Sequence, residues 1–147
     1  MCIRDRYDAI ILSYAGIKHL EYENEISEIF ATEEMIPSAG QGIIAIQCRE
    51  DDEEIISILK KINHNETYKR AYAERNILKV LEGDCETAVG AHATIDKDKI
   101  ILEAELFSLD GKERFYHKSS KELNFASQLG KEVGEILKKQ SKNSYKK

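Results

Sequence analysis

The spacing of apolar residues changes period twice along this chain. Between residues 51 and 83 they recur every three or four positions, from 87 to about 120 they alternate, and after 121 the helical spacing returns. In "DDEEIISILKKINHN", Ile55, Ile58, Leu59 and Ile62 share one face, with Asp51 and Asp52 at the start and lysines near the end, as the helix dipole favours. "NETYKRAYAERNILKVLEG" predicts a second helix with Tyr68, Ala71, Leu78 and Leu81 along one side and Gly83 as its stop. Arg75 falls on or near that side, as a snorkelling side chain or in an ion pair with Glu74 or another carboxylate. "TAVGAHATI", "KIILEAELFSL" and "KERFYHKSS" then predict three strands joined by turns at "DKDK" and "LDGK". A last helix over residues 121–139 carries Leu123, Ala126, Leu129, Val133, Ile136 and Leu137 on one face. The expected unit is a three-stranded antiparallel sheet under one helix. At roughly 55–60 residues it is marginal alone, so it leans on the helix before Cys85.

The first third reads differently. "YDAIIL" is strand-like and "SYAGIKHLEY" predicts a short helix. One strand and one helix cannot bury both faces of a sheet, so this reads as the last unit of a larger α/β domain. "MCIRDR", residues 1–6, fits no surrounding pattern and reads as a non-native leader. Pro37, Gly40 and Gly42 mark irregular backbone before "IIAIQCR", which predicts a strand buried on both faces. The glycines beside Gln41 leave backbone N–H groups accessible to a ligand; a plain turn is the alternative. The apolar side chains of "AIIL" and "IIAI" are expected to be exposed for want of partner strands. The fold class is therefore α+β: a C-terminal three-stranded antiparallel sheet with a covering helix, preceded by the incomplete end of an α/β domain.

Composition narrows the function. Of 147 residues, 41% are hydrophobic and 33% charged, with a single proline, which is globular rather than disordered. A formal charge of −5 argues against nucleic acid as a partner. The basic end, "KKQSKNSYKK", reads as a frayed, solvated tail over residues 141–147. No apolar run is long enough for a membrane span. The three cysteines, Cys2, Cys48 and Cys85, are odd in number and lack C-x-x-C spacing, so neither a disulfide framework nor a zinc ribbon is expected. His64, His92 and His117 have no ligand spacing with them, and no metal is expected. A reducing cytoplasm is the expected compartment.

Cys85, in "LEGDCETAVG", stands on a polar turn between helix and strand. Asp84, Glu82 and Glu86 oppose thiolate formation, so a protease-type nucleophile fits poorly. A buried small hydrophobe and a covalent attachment point both stay open.

Several ordered blocks resemble hydroxymethylbilane synthase, also called porphobilinogen deaminase. "AERNILKVLEGDCETAVGAHATI" resembles the family's cofactor-attachment segment, L-E-G-G-C-x-V-P-[IV]-G or a close variant. "YDAIILSYAGIKHL" resembles D-A-I-[IV]-L-A-x-A-G-L-x-R-L, and "IPSAGQGIIAIQCREDD" resembles P-A-x-G-Q-G-A-[LI]-x-I-E-x-R-x-x-D. "INHNET" and "SLDGK" also have counterparts, and the likeness runs from about Arg6 to Gln140. The resemblance implies that Cys85 carries a dipyrromethane cofactor through a thioether. Onto it four porphobilinogen units are added, each losing ammonia, before hydroxymethylbilane is released in tetrapyrrole biosynthesis. A thioether needs no low-pKa thiol during turnover, which suits the acidic setting. Gln41 and Gly42 align with positions lining that site, and Ser13 with a backbone position near the cofactor. His19 stands where the family has an arginine and offers less charge and no bidentate fork; either cofactor handling is altered or Lys18 beside it compensates. Asp84 replaces a small residue and sets a carboxylate next to a polyanionic cofactor, and Ala88 replaces a proline.

The resemblance also implies an organisation. Residues 7–49 are the end of domain two and its return strand, 50–65 a helix of domain one, and 66–140 the C-terminal cofactor-attachment domain. The family's catalytic aspartate and most of its basic residues have no counterpart here. No catalytic residue is therefore expected in this stretch, which reads as a C-terminal fragment, inactive alone and monomeric when full-length. Its partners would be porphobilinogen and the growing polypyrrole. Two other classes stay open: a non-catalytic interaction module with Cys85 a relic, and an unrelated α+β thiol enzyme with a histidine near Cys85.

Overall fold

The computed structural model describes residues 7–83 and 87–146. The chain divides into two compact units, Met1–Ala31 and Thr32–Lys147. In the first, helix α1, Tyr14–His19, follows an extended stretch, and a 3-10 turn follows at Glu23–Glu25. The second unit contains α2, Glu53–Ile62; α3, Asn65–Leu81; β1, Val89–Asp96; β2, Lys99–Phe107; β3, Arg114–Glu122; and α4, Ala126–Ser141.

The three strands form an antiparallel sheet in the order β1-β2-β3, as the alternation predicts. Ala91, Ala104 and His117 lie in one cross-strand row, and Ala93, Leu102 and Ser119 in the next. The even positions of β2, Ile100, Leu102, Ala104 and Leu106, turn inward and are fully buried. Their row is covered by α3 and α4, which pack against each other and on the sheet. The helices run side by side in the same direction: Lys69 bonds Asn124 near their starts, and Lys138 reaches the Val80 carbonyl near their ends. Where they cross, a Cβ on Gly130 would fall on the Ala73 carbonyl, so glycine there permits the close approach.

Several details depart from the expectations. Neither residues 7–12 nor 43–49 form a strand. A strand exists through hydrogen bonds to a neighbour, and among the described residues neither run has one. Their apolar side chains are exposed as expected, Ile11 at 68% and Ile44 at 91%. Helix α2 begins as predicted, with the Asp52 carboxylate accepting the Ile55 N–H at 3.1 Å, but no residue on it is buried. On α3 the buried residues are Ala73, Glu74, Asn76, Ile77 and Leu81; Tyr68 is exposed, and Ala71 and Leu78 are half-buried. Arg75 is exposed while Glu74 is the inward group, because residues 73, 77 and 81 define the stripe facing the sheet and 74 lies beside it. Glu82, in the left-handed conformation at φ 53°, caps α3 in place of Gly83. The fourth helix starts at Ala126 instead of 121, because β3 runs on to Glu122 to finish its pairing with Lys99.

The end of the chain is the largest correction. Instead of a frayed tail, residues 141–146 fold back on the domain: Tyr145 is 1% exposed, and the Ser144 carbonyl accepts the Leu109 N–H at 2.9 Å. Burial of one aromatic ring outweighs the polar composition around it.

Candidate functional site

Three pieces carry the candidate residues. The first is α1. Ser13 sits at its N-cap position without a side-chain cap bond, and its carbonyl accepts the Ile17 N–H at 3.1 Å. Lys18 and His19 occupy its last turn, exposed, where cations complement the helix dipole. These three residues belong to the first compact unit, and Gln41 and Gly42 to the second.

The second piece is the turn at residues 38–43. Gly40 and Gly42 take φ of +80° and +76°, which side chains other than glycine rarely adopt. A Cβ on either would meet nothing within 4 Å, so the space over the turn is open. The sequence predicts accessible N–H groups here, and the structure narrows that set. Gln41 donates to the Ser38 carbonyl at 3.0 Å, Ile43 to the Gly40 carbonyl at 3.1 Å, and Gly40 to the Glu74 carboxylate at 2.7 Å. The Gly42 N–H is left without a partner among the described residues, beside the exposed Gln41 side chain. A backbone N–H with an amide side chain next to it can receive one carboxylate oxygen.

Glu74 holds this turn to the sheet, and Arg70, one turn earlier on α3, ties the helix to the same β1 residue. The Glu74 carboxylate accepts the Ala93 N–H at 2.8 Å, and Arg70 Nε donates to the Ala93 carbonyl at 2.6 Å. The Pro37 carbonyl accepts the Ala91 N–H at 2.8 Å. Together they occupy the outer edge of β1, where a fourth strand would otherwise pair. The segment leading into the turn is pressed onto the strand, since a Cβ on Gly90 would lie 2.6 Å from the Ile36 carbonyl. The sequence reading did not single out these clamps. The signal was available: positions 70, 74, 77 and 81 follow helical spacing, so a carboxylate at 74 lies beside the buried stripe.

The third piece is the end of α3, Leu81–Gly83. Cys85 itself, with Asp84 and Glu86, lies outside the described residues. Leading up to it, the Leu81 carbonyl accepts a hydrogen bond from Tyr145, and the Glu82 carboxylate lies 3.5 Å from Lys138 and 3.6 Å from Lys146. Cys48, the one thiol among the described residues, is half-buried and unbridged. Among the described residues no three His, Cys, Asp or Glu side chains gather as a metal site. None of their helices is long and apolar enough to cross a membrane.

Comparison with known proteins decides the family. Residues 2–57 match the family model described as porphobilinogen deaminase, dipyromethane cofactor binding domain, and residues 68–139 match porphobilinogen deaminase, C-terminal domain. The chain belongs to the porphobilinogen deaminase family. The first match begins inside the 1–6 segment that the sequence pattern sets aside. A porphobilinogen deaminase of Desulforamulus reducens is 40% identical over 135 residues, covering 92% of this chain and 44% of the relative. One from Staphylococcus carnosus is 38% identical over 136 residues, covering 91% and 44%, and one from Coxiella burnetii 40% over 144 residues, covering 92% and 47%. The chain thus spans less than half the length of these deaminases. The turn at residues 38–43 falls within the cofactor-binding-domain match, and Glu74, which holds it, within the C-terminal-domain match.

Proposed function

We propose that this chain supplies the cofactor-holding part of a hydroxymethylbilane synthase, with Cys85 as the covalent anchor of a dipyrromethane. The observation that carries the reading is the match to two deaminase domain models in order along the chain. The open turn at Gly40–Gln41–Gly42 suits the group: a dipyrromethane bears acidic side chains, and the Gly42 N–H is a donor with no partner among the described residues. When bound, the dipyrromethane supplies the carbon nucleophile to which pyrrole units are added, with loss of ammonia from each.

This chain's own residues bind and orient. In the second unit the Gly42 N–H and the Gln41 amide are the groups offered to carboxylates; in the first, Lys18 offers a positive charge and His19 a hydrogen-bonding ring. Ser13 sets the start of α1, and so the placement of that pair. No general acid for ammonia release stands among these residues. The 147-residue chain by itself therefore leaves porphobilinogen unconverted, and a full-length polypeptide of this family carrying these residues performs the reaction in the cytoplasm as a monomer.

Intact-mass measurement of such a full-length polypeptide tests the anchor. Wild type and Cys48→Ser should carry a dipyrromethane increment, and Cys85→Ser should not, because a serine hydroxyl ionises far less readily than a thiol. An increment that survives in Cys85→Ser overturns the assignment. An increment absent from all three favours the interaction-module reading, with Asp84 and His19 the first positions to revert.

A further inference from the structure

The Glu74 carboxylate is 3% exposed, and each of its oxygens serves a different segment. Oε1 takes the Ala93 N–H of β1, and Oε2 takes the Gly40 N–H of the glycine turn, 34 residues away in sequence. Removing a carboxylate from water is expensive, and replacing a buried charged group by an apolar one of similar volume is often neutral or stabilising. Stability of α3 alone therefore gives no reason for a carboxylate beside Ala73 and Ile77. What only a carboxylate can do at this place is accept two N–H groups, one on each oxygen. A glutamine offers one oxygen and turns an NH2 group toward the second donor.

We propose that Glu74 is a positioning residue: it latches the Gly40–Gly42 turn to the edge of β1 and so leaves the Gly42 N–H as the donor offered to an anionic carboxylate. The latch sorts the donors. With Gly40 engaged by Glu74, Gln41 by Ser38 and Ile43 by Gly40, the Gly42 N–H is the one among residues 40–43 that stays available among the described residues, next to a link to α3 and β1. Released from Glu74, the turn keeps only its local bonds, and its glycines give it wide conformational freedom. This inference rests on the function proposed above, in that the carboxylate belongs to a pyrrole.

Amide hydrogen exchange and amide chemical shifts of the 147-residue chain test it, with porphobilinogen, a pyrrole dicarboxylic acid, as the probe. In wild type the Gly40 amide should exchange at least ~10-fold more slowly than that of Gly42, and porphobilinogen should shift the Gly42 resonance. In Glu74→Gln, Gly40 and Ala93 should lose protection by about 10-fold, core amides such as Leu102 should keep theirs, and the Gly42 response should weaken. Glu74→Asp, charged but one methylene shorter, should behave like Glu74→Gln, which separates reach from charge. A purely structural role would accelerate exchange throughout the domain and leave the porphobilinogen response of the folded fraction unchanged. Equal exchange at Gly40 and Gly42 in wild type overturns the latch even if the variants fail to fold. Protection at Gly40 with no shift at Gly42 refutes the carboxylate reading of the turn and not the latch.

Discussion

The Tyr145 hydroxyl donates a 2.8 Å hydrogen bond to the carbonyl of Leu81, 64 residues earlier. Leu81 is the last residue of α3 and Tyr145 stands near the end of the chain. The bond satisfies one of the carbonyls that a helix end leaves unpaired, and Lys138 takes another, at Val80. The C-terminal residues thus secure the backbone directly before the Cys85 segment. Tyr145→Phe should cost about 1 kcal/mol, one hydrogen bond, while Tyr145→Ala should cost about 3–5 kcal/mol through the lost ring. Thermal or urea unfolding of the two variants checks the ratio; equal losses would mean that the ring contributes nothing beyond its hydroxyl, and an unchanged Tyr145→Phe that the hydroxyl contributes nothing.

The contact between α3 and α4 gives a sharper steric prediction. Gly130→Ala should destabilise the domain by about 1–3 kcal/mol or more, because the new methyl group meets the Ala73 backbone carbonyl and neither helix can shift without disturbing the other. Denaturant titration reads this as a lower midpoint with an unchanged slope.

On the outer face of the sheet, Glu103 accepts hydrogen bonds from Lys118 at 3.0 Å and from the Tyr116 hydroxyl at 2.9 Å. The Lys118 bond first, and the Tyr116 bond with it, hold the Glu103 carboxyl below the usual carboxylate range against partial burial, and the same pair raises the Lys118 ammonium. A carboxyl depressed in the folded state contributes stability above its unfolded value and loses it as pH falls through the folded one. A raised lysine contributes below its unfolded value and loses it as pH rises through the folded one. The pair's contribution is therefore whole between roughly pH 5 and pH 10. Glu103→Gln should lower Tm slightly at pH 7, and the difference from wild type should shrink below about pH 4. A difference that persists in acid would rule out the ion pair as its source.

Ile44, 91% exposed, makes an opposite case. Ile44→Ser should change unfolding free energy of the 147-residue chain by less than about 0.5 kcal/mol, as for other exposed sites, and should reduce self-association measured by light scattering. A large loss of stability would show that the side chain is buried in solution.

The alternation across residues 87–120 and the helical spacing after 121 made the sheet and its main covering helix readable before any coordinates, because an amphipathic strand or helix states its buried face in its own period. The runs at 7–12 and 43–49 were read as strands from composition, and that failed, since apolar residues permit a strand but only a neighbour's N–H and C=O groups make one. The tail failed for the reverse reason: nine of its last ten residues are Lys, Gln, Ser or Asn and the tenth is Tyr, and one ring in the right hole reverses what the others prefer.

The candidate site divides along the same line. Gly40, Gln41, Gly42 and Cys85 stand out in the sequence because glycine spacing and a thiol on a polar turn are local features, legible without knowing what lies nearby. Sequence also determined the family, through blocks kept in order. Which N–H groups of the turn remain free, and that Glu74 and not Arg75 faces inward, only the tertiary structure decided. A hydrogen bond between residues 40 and 74, or between 81 and 145, depends on two segments meeting at under 3 Å. No local pattern encodes that distance; it follows from how α3, α4 and the edge of β1 pack against each other.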